Sequence, residues 1–140
     1  DRRSAIGAVP SAMDAPPDRR DAAPIYRGEL YWVAGDDARG PAPPYAHPHV
    51  VVQDDVFNHA RVTTVIVCAL TSNLHRASEP GNVLLAPGEG DLPAQSVVVV
   101  SQVSSIPKAR LGARIGALSQ ARVDQIVAGL RFQQTSYFRR

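Results

Sequence analysis

TTVIVCAL, residues 63–70, is the stretch that decides the fold, and Thr71-Ser72-Asn73 follows it directly. The run is apolar at almost every position and rich in β-branched residues. A half-buried strand would alternate, so this one is expected to be central, with both faces covered. Two further β-branched runs flank it: HVVVQ (residues 49–53) and SVVVVSQV (96–103). GELYWVA (28–34) alternates, with Leu30, Trp32 and Ala34 on one face and Tyr31 and Val33 on the other, and Trp32 is expected in the core. NVLLA (82–86) is a short strand closed by Pro87-Gly88.

Between the first two strands, GDDARGPAPPYAHP (35–48) holds four prolines and two glycines and cannot be regular structure. Residues 54–62 form a polar turn with Asn58 and His59 at its tip, and residues 107–115 have room for a short turn of helix. Helical periodicity appears only late. Ser119 is an N-cap, and Val123, Ile126, Val127 and Leu130 recur at i, i+3, i+4 and i+7 up to about Arg131. The expected class is therefore mainly β (α+β): a small barrel of short antiparallel strands with a C-terminal helix.

A chain of 140 residues with 44% hydrophobic content supplies one domain's core. Residues 1–24, rich in Ala, Asp, Arg and Pro, read as a flexible N-terminal arm, and residues 25–140 as the folded domain. Nothing approaches the roughly 20 apolar residues of a membrane span, and no apolar run follows the early arginines as a secretory signal requires. The one cysteine, Cys68, lies inside the apolar run and is expected as a small buried hydrophobe. A reducing, cytoplasmic location fits this usage. Net charge is only +2, but residues 101–140 hold seven basic residues against one acidic, net +6. That asymmetry can place a basic face toward a polyanion, or it can be a solvated helix face and tail.

Phosphate-loop, CxxC and HExxH motifs are absent. The histidines are His47, His49, His59 and His75; the spacing of His47 and His49 would set both imidazoles on one face of a strand, without an evident third metal ligand. Polar residues gather at strand ends: His47, Thr71-Ser72-Asn73, and Ser101-Gln102. Such residues build sites on the rim of a small barrel, and they also form ordinary turns.

The order of segments resembles the MazF/PemK toxins. The match runs through Arg27-Gly28-Glu29-Leu30-Tyr31-Trp32, His47-Pro48 to Gln53, Asn58, and Thr64 to Ser72. It continues with Gly81-Asn82-Val83-Leu84-Leu85, Ser96-Val97-Val98, Gln102, Ile106-Pro107-Lys108-Ala109-Arg110-Leu111, and the helix after Ser119. The resemblance implies an SH3-like barrel, usually a homodimer. It implies an endoribonuclease that cuts single-stranded RNA at short sequences without metal or cofactor, and that a cognate acidic antitoxin neutralises. In that chemistry the 2′-hydroxyl attacks phosphorus, giving a 2′,3′-cyclic phosphate and a 5′-hydroxyl, so proton acceptors, proton donors and charge stabilisers are needed.

By the resemblance the catalytic threonine is Thr71 and the substrate-binding glutamine is Gln102. Ser72 and Asn73 are placed for phosphate or base contact. The family's catalytic arginine is replaced here by His47. Imidazole cannot grip phosphate through two fixed donors as guanidinium does, but it exchanges protons near neutral pH. His47 is thus expected as general acid or base, with the lost charge supplied by Arg39, Arg61 or Arg76. Trp32, Tyr45 and Phe57 are available to stack on unpaired bases. Two alternatives from other classes are a CcdB-type gyrase inhibitor and a non-catalytic RNA- or protein-binding barrel.

Overall fold

The structure is a computed structural model that describes residues 23–34 and 46–138. Residues 1–22, expected as part of a flexible arm, residues 35–45 and the last two residues lie outside the described part. The apolar run becomes β3 (Thr64–Thr71). Around it lie β1 (Glu29–Ala34), β2 (Ala46–Val51), β4 (Val83–Leu84), β5 (Val97–Pro107) and β6 (Leu111–Ala117). One helical turn, α1 (Asp55–Asn58), and a C-terminal helix, α2 (Gln120–Phe138), complete the chain. The strands form one antiparallel sheet in the order β4-β5-β3-β2-β1-β6. This is the expected mainly β, α+β architecture.

β3 alternates over Thr64–Val67, where Ile66 is exposed, and from Val67 onward each of its faces meets a core. Cys68 and Leu70 join Leu30, Val50, Val98, Leu85 and Ile126 of α2 in one cluster. Val65 and Val67 join Tyr31, Val33, Val51, Ile106 and Leu111 in another. Successive strand residues point to opposite faces, so the sheet has a helix-covered face and a second face with its own small core. Cys68 is fully buried, as expected, and burial pushes its thiol up to about 12. Helix α2 starts where Ser119 predicts it. The Ser119 Oγ accepts from the Arg122 amide at 3.2 Å, while Val123 and Ile126 are buried against the sheet.

Two local expectations, for Asn58 and Trp32, are corrected, and two open ones, for residues 107–115 and the C-terminal basic residues, are resolved. Asn58 is buried rather than at a turn tip. Its Nδ2 donates to the Gln53 carbonyl (2.8 Å) and to Asp55 Oδ1 (2.9 Å), and its Oδ1 accepts from Gln53 Nε2 (3.0 Å). Trp32 is half-buried and belongs to neither core cluster. Residues 107–115 hold only a three-residue 3-10 turn, Lys108–Arg110, before β6 begins. Pairing with β1 imposes the strand on a segment whose own propensity is low. Gly112 is required there, because a Cβ would lie 2.7 Å from the Trp32 carbonyl oxygen. Finally, the C-terminal basic residues do not all form one free face. Arg114 binds Glu29 (2.8 Å), Arg122 binds Glu89 (2.8 and 3.1 Å), and Lys108 Nζ donates to the Asn58 carbonyl (2.9 Å).

Candidate active site

The second face of the sheet changes character along its length. On β2 it carries Val51, then His49 and His47. On β3 it carries Val65 and Val67, then Ala69 and Thr71. On β5, where Ile106 pairs with Val65 and Ser104 with Val67, the series continues to Gln102. The same period-2 rule that builds the second core therefore delivers a row of polar groups beyond it. There the chain leaves a groove of about 360 Å³, lined by His47, His49, Thr71, Arg76, Gln102, Ser104 and Arg110 over a floor of Val33, Ala69, Leu70 and Ile106.

An irregularity in the β3–β5 pairing helps place Gln102. Cys68 pairs with Val103 and Leu70 with Val98, so one residue on β3 faces four on β5. Bulges of this kind re-aim side chains beside sites. His47 is exposed on β2, within the strand and opposite Val33, not at the end of the preceding loop. His49 Nδ1 lies 2.9 Å from the His47 carbonyl oxygen. A carbonyl oxygen can only accept, so Nδ1 carries the hydrogen and Nε2 of the neutral ring is an acceptor. Burial holds the His49 pKa below the ordinary imidazole value. The bond to the His47 carbonyl opposes this, and the charges of His47 and Arg110 reinforce it. Thr71 Oγ1 accepts from the Asn73 amide at 3.1 Å and keeps its own O–H for donation.

Of the sequence-derived candidates, His47, Thr71 and Gln102 converge on the groove. Ser72 and Asn73 lie beside it, exposed in the turn after β3, and Asn73 Oδ1 accepts from the His75 amide. Arg39 and Tyr45 lie outside the described residues. Arg61 is exposed and is not part of the lining, and Phe57 is exposed on α1. Arg76 lines the groove from the 3-10 turn Leu74–Ser78. Its guanidinium makes two bonds to Glu79. Sequence reasoning overlooked Arg110, which reaches the groove from the turn between β5 and β6, with Nη2 donating to the Ala34 carbonyl at 2.6 Å. The signal was present in the Lys108-Ala109-Arg110 stretch, but a basic pair after a strand usually reads as a solvated turn.

Residues 26–133 match the family described as PemK-like, MazF-like toxin of type II toxin–antitoxin system. The chain belongs to this family. It is 36% identical over 107 residues to endoribonuclease MazF2 of Mycobacterium bovis, covering 76% of this chain and 94% of the relative. It is 28% identical over 102 residues to endoribonuclease MazF of Staphylococcus epidermidis, covering 73% and 84%. Among solved structures, a mycobacterial endoribonuclease in complex with its cognate antitoxin superposes with a TM-score of 0.62 at 23% identity, covering 77% of this chain and 92% of that one. MazF of Deinococcus radiodurans superposes at 0.63 with 17% identity, covering 81% and 98%. These two share the fold. Membership of this toxin family favours RNA cleavage over the gyrase-inhibitor and non-catalytic alternatives. Among the described residues, no helix is long and apolar enough to cross a membrane.

Proposed function

We propose that this MazF-like endoribonuclease toxin cuts single-stranded RNA in the groove between β2, β3 and β5, with His47 and Thr71 at the reacting phosphate. The observation that carries the reading is the convergence of His47, Thr71 and Gln102 from three strands onto one open groove. His47 exchanges a proton with the reacting oxygens, the role an imidazole fills and a guanidinium does not. The Thr71 hydroxyl donates to a non-bridging phosphate oxygen. Arg110, which lines the groove from the β5–β6 turn, supplies charge to the phosphorane. Gln102, with both donor and acceptor, contacts the substrate on the β5 side. The flanking Ser72 and Asn73 extend the path of the RNA strand, and Arg39, outside the described residues, is a further substrate contact.

The 2′-oxygen attacks phosphorus and the bond to the 5′-oxygen breaks, with no metal or cofactor in the scheme. The protein works in the cytoplasm as a homodimer, and a cognate acidic antitoxin neutralises it. The family's toxin–antitoxin character supports this partner, as do the antitoxin complexes solved for its mycobacterial and Deinococcus radiodurans counterparts. The test is incubation of a long defined RNA with the protein in excess chelator, followed by mapping of the ends. Cuts at a short recurring sequence, leaving 2′,3′-cyclic phosphate and 5′-hydroxyl ends, are expected. Intact RNA after long incubation, or cutting only when metal is added, refutes the reading.

A further inference from the structure

The groove contains a second imidazole that the scheme above leaves unused. His47 and His49 stand two residues apart on β2, on one face, and both line the groove. At about 3.3 Å of rise per strand residue their backbones are roughly 7 Å apart. A phosphate lying over the strand between them meets one ring on each side. In-line displacement at phosphorus needs that arrangement, because the attacking and leaving oxygens occupy opposite apices. The two rings are not equivalent. The Nδ1 hydrogen of His49 is tied to the His47 carbonyl at 2.9 Å, which leaves Nε2 as an acceptor. His47 is the more exposed of the two.

We infer that His49 is the general base of RNA cleavage, taking the 2′-hydroxyl proton on Nε2, and that His47 is the general acid for the leaving 5′-oxygen. The inference rests on the RNA-cleaving reading of this groove. As the 2′-O–P bond forms, the 2′-proton passes to His49. As the P–O5′ bond breaks, the 5′-oxygen takes a proton from the His47 imidazolium. His49 ends protonated and His47 neutral, and exchange with water resets both. No oxidant, reductant or metal enters the balance. The groups facing His49 suit a base. Arg110 from the β5–β6 turn and His47 on its own strand oppose an imidazolium there, while Arg76 from the turn after β3 is paired with Glu79. Across the sheet its register partner is Tyr31, whose hydroxyl donates to Glu29 at 2.8 Å. The lowered pKa of His49 agrees with this environment.

The deciding experiment compares two RNA substrates, one natural and one with sulfur in place of the bridging 5′-oxygen at the cut site. A thiolate leaves without being protonated, so the sulfur substrate needs a base but no acid. With the native protein, the single-turnover rate on natural RNA should rise and then fall with pH, and on the sulfur substrate only the fall should vanish. His47→Ala should regain near-native rates on the sulfur substrate. His49→Gln should stay about 10²–10⁴-fold slow on both substrates. Rescue of His49→Gln by sulfur overturns the assignment, as does a His49→Gln protein with native rate and pH profile. A flat pH profile for the native protein overturns it without any variant. Failure of the native protein to cut either RNA defeats the parent reading as well, and so is distinguishable from failure of the His49 role alone.

Discussion

Arg76 donates twice to Glu79, from Nε to Oε2 at 2.9 Å and from Nη2 to Oε1 at 3.0 Å, at the wall of the groove. The two-donor geometry that suits a carboxylate also suits a phosphate, so the carboxylate competes with substrate for this guanidinium. Arg110 enters the same groove from the β5–β6 turn, on the side of His49. Arg110→Ala is therefore expected to lower kcat roughly 10²–10³-fold, the usual effect of losing one transition-state donor. Arg76→Ala should change it by only a few-fold. Single-turnover cleavage of a defined RNA ranks the two, and the reverse order removes Arg110 from the charge-stabilising role.

His47→Ala and Thr71→Ala should each reduce cutting about 10²–10⁴-fold and leave the fold intact. Both residues lie on the groove and neither belongs to a core cluster, so far-ultraviolet circular dichroism and Tm should stay at native values. Thr71→Ser, which keeps the hydroxyl donor, should retain most of the rate. Normal cutting by either alanine variant rules out that residue's catalytic assignment.

Much of this was legible in the sequence because β-branched runs report burial directly. Residues 63–70 announced a central strand, although Ile66 leaves one face open in its first half, and Ser119 announced the start of α2. His47, Thr71 and Gln102 were legible as candidates because each lies at an end of such a run and matches a position of the family's segment order. β6 was not legible, since Gly112, Ala113 and Gly116 carry no strand preference and fit there for steric reasons set by β1. Nor was the role of Asn58, whose burial depends on bonds to Gln53 and Asp55 across the turn. Arg110 stayed hidden because what brings it to the groove is a hydrogen bond to Ala34, 76 residues away in the chain.

Acid should destabilise the protein through two carboxylates. Hydrogen bonds from Arg122 hold the Glu89 pKa below its ordinary 4.5, overcoming the opposing effect of burial. For Asp55, burial pushes upward, but donation from the Arg27 amide and the Asn58 side chain outweighs it, and the net shift is below 3.8. Both folded pKa values are depressed. Their stabilisation is thus complete above the ordinary values and is lost as pH falls through the folded ones. Glu89→Gln should cost about 1–2 kcal/mol at pH 7, the scale of a charge-assisted bond. The Tm difference from the native protein should shrink as pH falls below 4.5. A difference independent of pH would exclude the ion pair as its origin.

Gly129 lies in the middle of α2, where alanine ordinarily stabilises a helix by about 1 kcal/mol. Here the expected sign is reversed. A Cβ on Gly129 would run into the Gly81 carbonyl, which is backbone and cannot rotate away as a side chain can. The turn that presents this carbonyl is tied by Asn82, whose amide donates to the Glu79 carbonyl (3.2 Å) and whose Nδ2 donates to the Arg76 carbonyl (2.9 Å). The helix must then lift from the sheet, loosening Ile126, which is 1% exposed beneath it. Overpacking of this kind costs about 1–3 kcal/mol or more, which exceeds the propensity gain. Gly129→Ala should therefore lower Tm by several degrees, whereas alanine at the exposed Gln125 should leave it unchanged or slightly higher. Thermal unfolding of the two variants beside the native protein measures both terms. A Gly129→Ala protein at least as stable as native would mean that α2 does not sit this close to the Gly81 turn.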